Sequence, residues 1–125
     1  MPRIFVIDDD KDLLKVVKSL LVKKGFSVSI YSDWELANDD IKKYEPQLIL
    51  LDVFLAGIDG FEVCKKLKSN FATSHIPVLI VSAYPRVAEK AIYEYGANDF
   101  ISKPFELDEL ISKVHSMLSQ AGESV

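Results

Sequence analysis

LILLDVFLAGIDG, residues 48–60, is the stretch on which the fold turns. Leu48 to Leu51 is the most hydrophobic run in the chain, and it ends on Asp52. A strand with one solvated face alternates apolar and polar residues. This run does not, so it is expected to be buried on both faces, at the centre of a parallel sheet with helices on either side. After Asp52 the loop carries Gly57 and Gly60 as turn residues, and the next helix is expected to present Phe61, Cys64, Leu67 and Phe71 to the core.

Outward from this centre, short β-branched runs alternate with helical spacing, the pattern of a doubly wound α/β domain. The remaining strands are expected at Ile4–Ile7, Ser27–Tyr31, Ile76–Val81 and Asp99–Ile101. The first helix carries Leu13, Leu14, Val16, Val17, Leu20 and Leu21 and stops at Gly25. Ser32 and Glu35 have capping-box spacing for the second helix, which must end before Pro46. A fourth helix is expected from about Pro85 to Tyr95, before Gly96. Leu107, Leu110, Ile111, Val114, Met117 and Leu118 form the cleanest helical stripe, that of helix five. Residues 1–120 make one domain, and 121–125 a polar tail that suits either a terminus or the start of a linker.

Composition narrows the function. At 125 residues the chain can bury a core without disulfides or a structural metal, and its one cysteine, Cys64, is expected to be a packed core thiol. Nineteen acids against 15 bases, a net charge of -4 with lysines scattered among acids, disfavour a nucleic-acid face. MPRIFVIDDD is not a signal peptide, and no apolar run approaches the roughly 20 residues that span a bilayer, so a cytoplasmic protein is expected.

In an open parallel sheet, ligands bind beyond the carboxyl ends of the strands. Four of the five strands end there in polar residues: Asp8 and Asp9, Asp52, Ser82 and Lys103. Each has an ordinary explanation, since aspartates cap helices, serines cap loops and lysines cover surfaces. Together they agree on one chemistry. Three converging carboxylates need a cation; Mg2+ takes oxygen ligands from one or two carboxylates and a phosphate. Asp52, on the central strand, is then the natural nucleophile toward phosphorus, with Lys103 and Ser82 placed to stabilise the transferred group.

VIDDD, LILLDVFLAGIDGFEVCKKLK, IPVLIVSA and GANDFISKPFE, in this order, resemble the receiver domain of two-component response regulators over essentially the whole chain. The resemblance implies a flavodoxin-like strand order 2-1-3-4-5. It implies Asp52 as phosphoacceptor, Asp9 as a direct Mg2+ ligand, Asp8 as a ligand acting mainly through water, and the backbone carbonyl of Phe54 as a further ligand. Ser82 matches the switch hydroxyl, Phe100 the switch aromatic, and Lys103 the phosphoryl-contacting lysine ahead of a cis bond to Pro104. The implied partners are a histidine kinase or histidine phosphotransfer protein and a downstream protein. The downstream target is met through the face of helix four, strand five and helix five, which is also a possible homodimer face. His75 and His115 are not expected as donors.

Three departures qualify the match: Ala56 where proline is usual, one residue fewer between Ser82 and Lys103, and Phe100 without the hydroxyl of the more frequent tyrosine. Bulky Phe54 and Tyr84, each two residues beyond a site residue, predict slow self-dephosphorylation. The alternatives are the receiver part of a longer regulator with an output domain beyond Val125, a receiver used only as a scaffold, and a Mg2+-dependent phosphohydrolase using Asp52. Against the last, Phe54 stands where a second aspartate is wanted, and no substrate pocket is evident. A nucleotide- or flavin-binding module is disfavoured because no glycine-rich loop follows the first strand.

Overall fold

Five parallel strands, β1 (Arg3–Ile7), β2 (Ser27–Tyr31), β3 (Leu48–Asp52), β4 (Val78–Ser82) and β5 (Asp99–Ser102), form a sheet of order β2-β1-β3-β4-β5 in the computed structural model, which describes residues 2–55 and 57–120. The expected tail, 121–125, and Ala56 lie outside the described residues. Alternating side chains feed two cores. Phe5, Ile7, Ile49, Leu51, Val78 and Ile80 face one side; Ile4, Val6, Leu48, Leu50, Leu79 and Val81 face the other. The first side is covered by α2 (Trp34–Tyr44), α3 (Gly60–Ser69) and α4 (Pro85–Tyr95), the second by α1 (Lys11–Lys23) and α5 (Leu107–Gln120). Every residue of β3 is buried, as its unbroken hydrophobicity requires.

The helices stop and start for local reasons. At the end of α1, Gly25 takes φ +95°, and the N–H groups of Lys24, Gly25 and Phe26 return to the Leu21 and Val22 carbonyls. The cap of α2 is Asp33, not Ser32: its carboxylate accepts from the Glu35 N–H at 2.9 Å. Starting the helix one residue later leaves Glu35 too early in the first turn to complete a capping box. Strand β4 begins at Val78, after Pro77, which lacks the N–H a ladder needs. Three residues expected in the core lie outside it: Phe71 is past the end of α3 and 96% exposed, while Val16 and Leu107 are about half exposed at the edges of their stripes.

The loop after Asp52 is more ordered than a turn. Phe54–Leu55 pairs antiparallel with Ile58–Asp59, and Gly60 is the first residue of α3. Only Gly57 of the two loop glycines has a left-handed φ, +73°.

Cys64 is fully buried, donates its S–H to the Tyr95 carbonyl at 3.5 Å, and has its thiol pushed up to about 11 by burial, only partly offset by the nearby Lys68 charge. Its alkylation at pH 8 is therefore expected only upon unfolding, with the labelling rate rising in step with urea-induced loss of structure. Rapid modification of native protein would show the packing around Cys64 to be wrong. Among the described residues no helix is long and apolar enough to cross a membrane.

Candidate functional site

Parallel register brings the strand ends level: Ile7 lies beside Leu51, Asp52 beside Val81, and Ser82 beside Ser102. The residues that follow are delivered into one crevice. Carboxylate oxygens of Asp8, Asp9 and Asp52 all lie within 4.8 Å of one another. Asp8 and Asp52 are buried and Asp9 is exposed, so the cluster is reached from solvent through Asp9.

The run of three aspartates divides between two tasks. Asp10 caps α1, its Oδ1 accepting from the N–H groups of Asp12 and Leu13 at 3.1 Å. Asp8 and Asp9 are thereby left for the crevice. Asp8 is held by the Tyr31 carbonyl, which accepts its N–H at 3.1 Å, and its Oδ1 accepts from the Asp10 N–H at 2.9 Å.

Lys103 bridges the two buried carboxylates, donating to Asp8 Oδ2 at 2.8 Å and Asp52 Oδ2 at 3.4 Å. Burial works against its ammonium, but the bond to Asp8 and the charges of Asp8 and Asp52 outweigh it and hold it above its usual value. Asp52 moves up from the ordinary aspartate range. Burial is the main cause, countered by the Phe54 N–H that donates to Oδ1 at 3.1 Å and by Lys103, and reinforced by the charge of Asp8. One lysine against three carboxylates leaves an excess of negative charge, and like charges about 4 Å apart repel by about 4 kcal/mol at an effective dielectric of 20. An all-carboxylate, hard-oxygen donor set with uncompensated charge fits Mg2+.

Ser82 is fully buried, and its hydroxyl is engaged within its own loop: Oγ accepts from the Tyr84 N–H at 3.0 Å and donates to the Tyr84 carbonyl at 3.4 Å. The adjoining chain is tied to β5 by the Lys103 N–H, which donates to the Ser82 carbonyl at 2.8 Å. Phe100 is half-buried against the core on the α4 side, and Lys113 Nζ lies 5.9 Å from its ring centre. Lys113 is held there by Asp99, at 3.0 Å. The Lys103–Pro104 bond is cis, as expected. His115 sits on α5 with its ring 5.5 Å from that of Phe26, and His75 precedes β4 at the other pole.

Two features were not legible in the sequence. An open cleft of about 460 Å3, lined by Phe54, Ala83, Tyr84 and Val87, adjoins Asp52 and Lys103 at the edge where a crevice was expected, but its size and aromatic lining were not. Phe54 and Tyr84 meet across it edge to face, centroids 5.4 Å apart, from loops 30 residues apart in sequence. The other feature is Gly60, at which a Cβ would meet the backbone of Asp52 and Val53.

The carboxyl edge of this doubly wound sheet thus carries an acidic crevice, a lysine and a buried hydroxyl. Residues 4–115 match the sequence model of the response regulator receiver domain, and the chain belongs to that family. It is 34% identical to the "DNA-binding dual master transcriptional regulator RpaA" of a Synechocystis species, over 94% of this chain and 49% of that one. It is 35% identical to the response regulator MprA of Mycolicibacterium vanbaalenii, over 98% of this chain and 55% of that one. The solved receiver domain of NtrX from Brucella abortus superposes with a TM-score of 0.85 at 32% identity, covering 93% of this chain and 98% of that domain. The chain thus spans about half the length of the curated relatives it matches. Because one of them is titled a DNA-binding regulator, the expectation of no nucleic-acid partner does not extend to a whole protein of this kind.

Proposed function

We propose that this chain is a phosphorylation switch whose acceptor is Asp52. The observation that carries the reading is Lys103 spanning Asp8 and Asp52 inside a three-carboxylate cluster, a charge arrangement with an evident use in phosphoryl transfer. The donor is a phosphohistidine of a histidine kinase or phosphotransfer protein. An Asp52 carboxylate oxygen forms a bond to phosphorus as the P–N bond of the donor breaks, and the released imidazole takes up a proton. Asp9 and Asp52, with the Phe54 carbonyl, would hold Mg2+ directly and Asp8 through water. The bound ion supplies charge neutralisation at the phosphoryl oxygens. Lys103 contributes a second positive charge to the same oxygens, and the domain catalyses only its own phosphorylation and dephosphorylation.

The output follows from the Ser82 hydrogen bonds. Turning Oγ toward a phosphoryl group on Asp52 gives up the bond to the Tyr84 N–H, and Tyr84 is the N-cap of α4, which has no side-chain cap of its own. The start of α4 is released, and Phe100 can turn into the space vacated. The face of α4, β5 and α5 then differs between states and is read by a downstream protein, by a second copy of the domain, or by an output domain on the same chain. Contacts of this domain itself are with protein, in the cytoplasm.

Incubation with Mg2+ and acetyl phosphate tests the reading. Intact mass should rise by one phosphoryl group, mapped to Asp52, and should not rise in EDTA. No gain, or a gain mapped elsewhere, would overturn it.

The aromatic pair sets a rate. Phe54 and Tyr84 are each about half exposed and stand beside Asp52, where a water attacking the acyl phosphate in line must pass. Phe54→Asn with Tyr84→Glu should shorten the lifetime of the phosphorylated protein about tenfold, equivalent to about 1.4 kcal/mol of barrier. An unchanged decay in that double variant removes the aromatic pair from the account.

A further inference from the structure

A second concavity, of about 390 Å3, opens between α2 and α3, in the size range of small-molecule sites. α2 contributes Trp34, Asn38 and Lys42, positions i, i+4 and i+8, a stripe of about 12 Å along one side of the helix. The last turn of α3 contributes Lys66 and Ser69, and Asn70 follows it. Among the described residues no carboxylate lines the cleft, although acids outnumber bases 19 to 15 in the chain.

The polar residues that line this space are rich in donors: Lys42, Lys66 and the Trp34 indole N–H donate and cannot accept. The Asn70 Oδ1 is taken by the Ala72 N–H at 3.0 Å, which leaves its NH2, and the Thr73 hydroxyl is spent on the Leu67 carbonyl at 2.7 Å. Neither Lys42 nor Lys66 forms an ion pair among the described residues. In the last turns of their helices both oppose the negative dipole ends, which accounts for lysines there but not for their sharing an acid-free hollow. Trp34, half-buried against the core, gives the cleft an aromatic wall far along the stripe from Lys42.

We propose that the α2–α3 cleft binds a small organic phosphate, its phosphoryl oxygens between Lys42 and Lys66 and a planar ring against Trp34. Two ammonium groups suit a dianion, and the separation along α2 asks for a ligand longer than phosphate alone. This site is independent of phosphorylation at Asp52.

Trp34 is the only tryptophan in the chain, so its emission reports on the cleft. With AMP as probe, in EDTA, a saturable change in emission is expected. Adenosine and inorganic phosphate should each need at least tenfold higher concentration, as should AMP with the Lys42→Met/Lys66→Met variant. Asp52→Asn should bind AMP like the parent. In parent protein, AMP should also shift the side-chain amide NMR signals of Asn38 and Asn70, a reading that does not depend on how the double variant folds. No saturable change, unmoved Asn38 and Asn70 signals, equal binding by inorganic phosphate, undiminished binding by a folded double variant, or loss of binding in Asp52→Asn would each overturn the proposal.

Discussion

Asp52→Asn should abolish phosphoryl gain and, in the absence of Mg2+, make the domain more stable than the parent. The acceptor carboxylate is buried, its ionisation is opposed by that burial and by Asp8, and only the Phe54 N–H and a shared Lys103 favour its charge. The amide is nearly isosteric. Its oxygen can keep the Phe54 bond, its NH2 can donate toward Asp8, and Lys103 retains its shorter bond to Asp8 at 2.8 Å. What is lost is mostly repulsion, so a gain of about 1–2 kcal/mol is expected in urea unfolding with EDTA, the scale seen when a functional group is sacrificed for stability.

Mg2+ should reverse the order. An ion that binds only the folded state stabilises it by about 2.7 kcal/mol at a concentration 100 times its dissociation constant, and removing one carboxylate weakens that binding. The parent should therefore overtake the variant as Mg2+ is raised. A variant less stable than the parent in EDTA, or one that still gains a phosphoryl group, would contradict the charge account of the crevice.

Much of this was legible before any coordinates because strand ends in a doubly wound fold are fixed by burial. Leu48 to Leu51 could only be central, and a central strand delivers its next residue to the carboxyl edge; Asp52 follows from the hydrophobic run itself. The same logic placed Asp8, Asp9 and Ser82, which end or closely follow the buried runs of β1 and β4; Lys103 follows β5, where Ile101 alone is buried, and its place came from the strand–helix alternation rather than from a hydrophobic run. Side-chain choices between neighbours were less legible. Ser32 and Asp33 are both good caps, and only the point where β2 releases the chain decides between them. Nor could spacing foretell that Asp10 alone would cap α1, or that Phe54 and Tyr84 would meet, because that contact depends on how two loops bend toward each other. Val16 and Leu107 are apolar at helical spacing, yet they sit beyond the width of face that the sheet covers, and Phe71 is exposed because α3 stops at Ser69, before reaching it.

Gly60→Ala sets helix propensity against packing, and packing should win. Gly60 opens α3 with an unremarkable φ, and alanine is favoured over glycine within helices by about 1 kcal/mol, so local preference predicts a gain. A Cβ there, however, would stand 2.4 Å from Val53 Cα and 2.7 Å from both the Asp52 and Val53 carbonyl oxygens. All three are backbone atoms, and the Gly60 N–H is bonded to that same Val53 carbonyl at 2.9 Å. No rotamer relieves the clash; the loop must move by about 1 Å, and overpacking of this kind costs about 1–3 kcal/mol or more. The moving segment carries the Asp52 carbonyl and the Phe54 N–H that orients the acceptor, and a displacement of that size can cost about 100-fold in rate. Phosphorylation by acetyl phosphate should fall about that far, with a net loss of about 2 kcal/mol or more in urea unfolding. Gly57→Ala is the control. Its Cβ would meet nothing within 4 Å, so only the left-handed φ of +73° is penalised, by about 1–2 kcal/mol, and the acceptor stays where it is. If both variants lose similar stability and Gly60→Ala is phosphorylated at the parent rate, close packing of α3 against the loop is not what positions Asp52.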